Sequence, residues 1–191
     1  MHSGLVMVKK IIVTSLIAML AISHRAYAEK TAEEKEKERT AKGVVTGNYV
    51  HNWHKLPNIK AVNIQTQKVM NYRPDFGKAT VILFLASWCI PCQKIVPAIL
   101  DLEKNFEGRA VEFVYIFSHD ASDDIVNFLK GYDIKSLAFK VNLKITSDFH
   151  QPALPTIYVA DRFNWLTMRF TNFNLKDMAV LKDYLEIHTG Y

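Results

Sequence analysis

The chain holds two cysteines, Cys89 and Cys92, three positions apart in Trp88-Cys89-Ile90-Pro91-Cys92. Two thiols at that spacing can close a disulfide with each other, and the chain offers no other partner. The chemistry they could carry is thiol–disulfide exchange, in which a thiolate attacks a disulfide sulfur and a mixed disulfide is resolved by a second thiol. A free thiol ionises near 8.5, so the attacking sulfur needs help, and a helix N-terminus supplies it through its dipole and unpaired amides. Cys89 stands where the apolar run Val81 to Ala86 gives way to a helical pattern, so it reads as the attacking thiol. Cys92, one turn further in, reads as the resolving one. Ile90-Pro91 brings no cation or histidine to hold a thiolate, which argues for a reductant over an oxidant.

The same pair could serve other chemistry. Soft thiolates also suit copper(I) or zinc, which leaves a metal carrier as an alternative. A closed zinc site needs four ligands, and there is no second cysteine pair. His51 and His54 lie in an irregular stretch and read as surface residues, so no metal or other cofactor is expected. A disulfide oxidant, an inert staple and a redox-silent interaction module are the remaining readings, and the intact pair speaks against the last. Trp88, next to Cys89, reads as a flat apolar rim to a substrate groove.

The elements that must place these residues follow from periodicity. A buried strand is expected over Thr80 to Ala86 and a helix over Pro91 to Phe106, with Ile95, Val96, Ile99, Leu100 and Leu102 inward and a kink at Pro97. A second strand, Val111 to Phe117, leads to a helix capped by Ser122 and ended at Gly131. A strand over Leu137 to Val141 and a short helix around Thr146 to Phe149 come next. Thr156 to Ala160 and Leu166 to Phe170 read as paired strands across a turn at Asp161-Arg162, and Leu175 to His188 as a closing helix. Ahead of this core, Val44-Val45, Tyr49-Val50, Trp53, Leu56 and Ile59 to Ile64 are expected as short edge strands, with a turn-rich link from Asn71 to Gly77.

Lys9-Lys10, twelve mostly apolar residues from Ile11 to Ile22, and Ala26-Tyr27-Ala28 form the pattern of a cleaved secretory signal over residues 1–28. Twelve apolar residues fall short of the roughly 20 that a membrane helix needs, so an uncleaved anchor is the lesser alternative. Residues 29–42 hold five Glu and five Lys or Arg and no large apolar side chain, a solvated spacer. Residues 43–191 then form one domain large enough for its own core. The whole chain carries 24 Lys and Arg against 19 Asp and Glu; without the three cations of residues 1–28, which hold no acid, the balance is 21 against 19. That near-neutrality, with no basic cluster among aromatics, gives nucleic-acid binding no support.

The order strand, Trp-Cys-x-Pro-Cys, helix, strand, helix, then Leu154-Pro155-Thr156 before a strand pair and a last helix, resembles the thioredoxin fold over roughly residues 56–190. Leu85-Ala86-Ser87-Trp88-Cys89-Ile90-Pro91-Cys92, with Pro97 beyond, is similar to the exported TlpA-like branch, which includes the thiol reductases of cytochrome c maturation. The resemblance implies an α/β fold, a mixed central sheet flanked by helices, here with an N-terminal strand extension. It implies catalysis by Cys89 and Cys92 and substrate contacts from Trp88, Pro91, Leu154 and Pro155, with Pro155 cis and its loop backbone pairing with the client; Pro152 is a weaker candidate. It further implies a monomer outside the cytoplasm, a protein disulfide or dithiol client, and a membrane electron donor. Two acids usual in the superfamily are replaced here, by Leu83 and Ile95. Proton acceptance therefore falls to another group, such as His119 or Asp120, or to water.

Overall fold

In a computed structural model of the chain, the described residues are Asn48–Tyr49, 55–150 and 153–189. The expected leader, the charged spacer, Val44-Val45, Val50, His51, Trp53, His54 and Pro152 lie outside them. The centre is β4 (Ala79–Leu85), seven residues that are all buried. A strand buried on both faces favours apolar side chains, and six of the seven are apolar, Thr80 being the exception, which is why Val81 onward reads as a continuous run. It pairs in parallel with β5 (Val111–Phe117) on one side and antiparallel with β7 (Thr156–Ala160) on the other.

Around that centre, β1 (Asn48–Tyr49), β2 (Ile59–Asn63), β3 (Val69–Tyr72), β6 (Leu137–Val141) and β8 (Leu166–Thr171) complete a mixed sheet. Its order is β1-β8-β7-β4-β5-β6-β2-β3, eight strands among the described residues. Helices α1 (Ile90–Asn105) and α2 (Ser122–Gly131) form the crossovers from β4 to β5 and from β5 to β6, and α3 (Leu143–Asp148) and α4 (Met178–Thr189) complete the set. Val81, Leu83 and Leu85 join one buried cluster with Ile95 and Ile99 of α1, Ile125 of α2 and Leu181 of α4. Ile82 and Phe84, pointing the other way, join a second with Ile145 and Phe149. The mixed α/β architecture with an added strand pair at one edge is the one expected.

Register decides where chemistry can occur. Leu85 is opposite Phe117, and Phe84 is opposite Thr156. The loops that leave β4 and β5 and the loop that enters β7 therefore meet at one end of the sheet, the carboxyl end of the parallel strands, where open α/β sheets bind their ligands.

Several boundaries differ from expectation. Asn71 and Tyr72 belong to β3, because Tyr72 sits opposite Ile59, is buried, and donates its hydroxyl to Glu112 Oε2 at 2.6 Å. Ser122 is not the cap of α2. Ala121 holds that position without a side-chain bond, and Asp123 and Asp124 place negative charge in the first turn instead. The short helix starts three residues early, at Leu143, because Asn142 accepts the Ile145 amide at 3.2 Å. The closing helix starts at Met178: Asp177 Oδ2 accepts from the amide and the side chain of Asn174, and that turn occupies residues 174–177.

Pro97 lies within α1, which runs on through it. A proline there leaves the carbonyl four residues earlier without its amide partner. That carbonyl belongs to Gln93, and the Tyr132 hydroxyl donates to it at 3.4 Å.

Further down α1, the Glu103 carboxylate accepts from Tyr115 Oη at 2.5 Å and from Ser136 Oγ at 2.7 Å. Burial outweighs these two bonds and pushes the Glu103 carboxyl above its usual 4.5. The native state therefore binds this proton more tightly than the unfolded chain, so the stabilisation is present below 4.5 and is lost as pH rises through the native value. Glu103→Gln removes that dependence. In urea titrations at pH 4 and pH 7, the stability of the variant relative to the parent is expected to improve as pH rises; a constant difference contradicts this account.

Candidate active site at the carboxyl end of the sheet

The polypeptide leaves β4 at Leu85 and turns at once into α1. The Cys89 amide donates to the Ala86 carbonyl at 3.1 Å, closing that turn. Cys89 is the N-cap residue, with extended backbone (φ −78°, ψ 104°), and Pro91 falls in the first turn, where its missing amide costs nothing. The expected helix start at Pro91 thus moves back to Ile90.

Cys89 Sγ accepts the Cys92 amide at 3.2 Å, the role a serine or aspartate oxygen plays at an ordinary N-cap. The two sulfurs form a disulfide with a Cα separation of 5.2 Å. Cys89 is 5% exposed and Cys92 is 0% exposed, so of the two buried cysteines the first is the one nearer to solvent. Flanking it, Trp88 is 63% and Ile90 62% exposed. Two large apolar side chains thus stand in water on either side of Cys89. Pro91 is exposed beside them.

The Leu154–Pro155 peptide is cis, as the resemblance implied. It opens β7, and Thr156 lies opposite Phe84, so the loop stands at the sheet end from which the cysteine loop departs. Pro155 is buried, and its carbonyl accepts the Phe173 amide at 3.0 Å. Thr156 Oγ1 donates to the Ala153 carbonyl at 2.7 Å. Between these two occupied carbonyls, no described residue bonds the amide or carbonyl of Leu154, whose side chain packs on both core clusters.

Leu83 and Ile95 are fully apolar and buried, 0% and 2% exposed. Of the two polar candidates after β5, His119 is exposed, whereas Asp120 is buried and turned toward the cysteine loop. Asp120 Oδ1 accepts from the Ser87 amide at 2.7 Å and from Ser87 Oγ at 2.5 Å. Ser87 in turn accepts at its carbonyl from Gln93 Nε2 at 2.6 Å. Ser87, Gln93 and Tyr132 were not singled out from sequence. The signals available were Ser87 as the first polar residue after the apolar run and Gln93 four residues before Pro97.

Comparison with known proteins agrees with this geometry. A thioredoxin-like family model matches residues 77–164, which include both cysteines and Pro155. The thiol-disulfide oxidoreductase ResA of Bacillus cereus is 24% identical over 131 residues, covering 68% of this chain and 74% of the relative. The thioredoxin-like protein YneN of Bacillus subtilis is 31% identical over 87 residues, 44% of this chain and 51% of the relative. Among solved structures, a thiol:disulfide interchange protein of the DsbE type from Chlorobium tepidum superposes with a TM-score of 0.65 at 18% identity, over 71% of this chain and 96% of the other.

The difference in exposure between the sulfurs has a direct test. After reduction with dithiothreitol, a brief iodoacetamide pulse is expected to add one carbamidomethyl group, on Cys89, with Cys92 labelled only after unfolding. Peptide mass spectrometry reads the result, and equal early labelling of both sulfurs contradicts the placement.

Proposed function

We propose that this chain, which resembles thioredoxin-like proteins and thiol-disulfide oxidoreductases of the ResA type, is a TlpA-like thiol-disulfide oxidoreductase that works outside the cytoplasm as a reductant of a protein disulfide. The observation that carries the catalytic reading is the N-cap position of Cys89, with the Cys92 amide pointing at its sulfur. In the reduced protein that amide and the end of the helix favour the thiolate of Cys89. The thiolate attacks one sulfur of the client disulfide, a bond forms between Cys89 and the client, and the other client sulfur leaves as a thiolate. Cys92 then loses its proton and attacks Cys89 Sγ, releasing the second client thiol and forming the Cys89–Cys92 disulfide. Two electrons have moved from this protein to the client.

Trp88 and Ile90 supply the apolar rim on which the client segment lies, with Pro91 at its edge. The amide and carbonyl of Leu154, which no described residue bonds, are held by the cis Pro155 and supply main-chain bonds to an extended client strand, an edge-pairing mode of peptide recognition. The leader-like residues 1–28 support export. Among the described residues no helix is long and apolar enough to cross a membrane. A reductant that turns over outside the cytoplasm must be recharged, and a membrane electron-transfer protein is the donor this reading calls for. The absence of any cation or histidine at Ile90-Pro91 supports the reducing direction.

Equilibration of residues 29–191 against glutathione or dithiothreitol buffers, read by thiol trapping, tests the direction. A potential near or below about −250 mV, in the range of thioredoxin, is expected. A value above about −180 mV makes the protein an oxidant or isomerase. Failure to cycle leaves a copper(I) carrier or an inert module. Trp88→Ala, at an exposed position, is expected to change stability by no more than about 0.5 kcal/mol while lowering the rate of reduction of a disulfide-bonded peptide roughly ten-fold.

A further inference from the structure

We propose that Asp120 is a positioning residue for the redox pair: its buried carboxylate clamps Ser87, and its charge, set beside the cysteine loop, holds the Cys89/Cys92 couple on the reducing side. The proposal rests on the dithiol reading above and names a determinant of its direction. Asp120 is 5% exposed and follows β5, whereas Ser87 follows β4; the two are 33 residues apart in the chain. The two bonds to Asp120 Oδ1 tie these loops together at the sheet end where Cys89 begins α1. The Gln93 side chain carries the tie into the first turn of the helix. The loop that presents Cys89 is thus fixed from both ends.

The other carboxylate oxygen is the informative one. Asp120 Oδ2 is buried, and no described residue bonds it. A buried polar atom without a partner is costly, and a clamp alone does not require it, because a neutral acceptor would hold Ser87 at less expense. A carboxylate kept half-compensated at this point has an electrostatic consequence. Ser87 is two residues from Cys89, so their Cα atoms are at most about 7 Å apart. The Asp120 carboxylate, bonded to the Ser87 amide, is thus on the order of 10 Å from the Cys89 sulfur, and in a medium of effective dielectric near 20 like charges at that separation shift an ionisation equilibrium roughly ten-fold. Asp120 therefore opposes the thiolate that the helix end favours. A less stable thiolate means a less stable dithiol, and so a stronger reductant, the opposite of a strong oxidant whose reduced form is stabilised.

The equilibrium that reads this is exchange of the protein disulfide with two glutathione thiols, giving the protein dithiol and one glutathione disulfide, at pH 7. Asp120→Asn keeps an acceptor for Ser87 and removes the charge. It is expected to move the equilibrium three- to ten-fold toward the dithiol, about 15 to 30 mV toward the oxidising side, and to speed alkylation of Cys89 several-fold. Ser87→Ala leaves the carboxylate but removes one of its two donors, and is expected to move the equilibrium in the opposite direction. An Asp120→Asn equilibrium within two-fold of the parent overturns the proposal, as do shifts of both variants in the same direction, which a loosened loop would produce. If Asp120→Asn fails to fold by circular dichroism, Ser87→Ala decides alone: a shift toward the disulfide supports the proposal and none refutes it. A parent protein that does not equilibrate with glutathione at all refutes the dithiol reading itself, a result distinct from an unchanged variant.

Discussion

Strand β4 is hydrogen-bonded on both sides and buried on both faces, and that confinement governs where everything polar can go. None of its seven side chains reaches water, so a charge placed among them would need partners that the surrounding strands and helices would have to supply. The chain keeps this strand uncharged, and apolar from Val81 to Leu85. Leu83 sits opposite Tyr115 on the α1 side of the sheet, and the Tyr115 hydroxyl is spent on Glu103, far along the helix from the cysteines. Polar residues reappear once the chain clears the sheet: Ser87 two positions past β4, Asp120 three positions past β5. The carboxylate nearest the redox pair by these bonds thus comes from a neighbouring loop and not from the strand beneath.

Much of the site could be read from the chain because its signals are local. The apolar run, the Trp-Cys-x-Pro-Cys segment and the Leu154-Pro155-Thr156 step each lie within a few residues, and each sets its own backbone through burial, capping or a restricted imide. The parts that escaped depend on distant partners. Strand β3 has three exposed residues out of four and no alternation, so its pairing with β2 alone defines it. The start of α4 is set by an Asn174–Asp177 turn that competes with helix, as these side chains do wherever they can bond nearby amides. The passage of α1 through Pro97 relies on a hydroxyl from Tyr132, and the Ser87 clamp relies on a residue 33 positions away.

Order and exposure are divided sharply around the cysteines. The backbone of residues 86–93 is held by the Ala86, Ser87 and Cys89 carbonyls, which accept from the Cys89 amide, the Gln93 side chain and the Gln93 amide, while Trp88 and Ile90 project from it into water. A rigid base loses little conformational freedom when its exposed apolar side chains are covered. In the loop that opens β7, Pro155 and Ala153 have their carbonyls occupied, whereas no described residue bonds the main chain of Leu154 between them.

The shortness of the Cys89–Cys92 loop has a consequence for how the protein outlives its own turnover. Cross-linking residues three apart removes little freedom from an unfolded chain, and the chain-entropy relation puts the gain at roughly 2 kcal/mol, against nearly 5 for a loop of a hundred residues. Cys89 and Cys92 belong to one of the two core clusters, but the remaining members of both, on the two faces of the sheet, are side chains that take no part in the bond. Opening the disulfide therefore leaves most of the folding free energy untouched, and the same architecture persists through both halves of a catalytic cycle. Folding and electron transfer are close to independent here, so the energy of the sulfur–sulfur bond is available for exchange with a partner and is not tied up in keeping the domain intact.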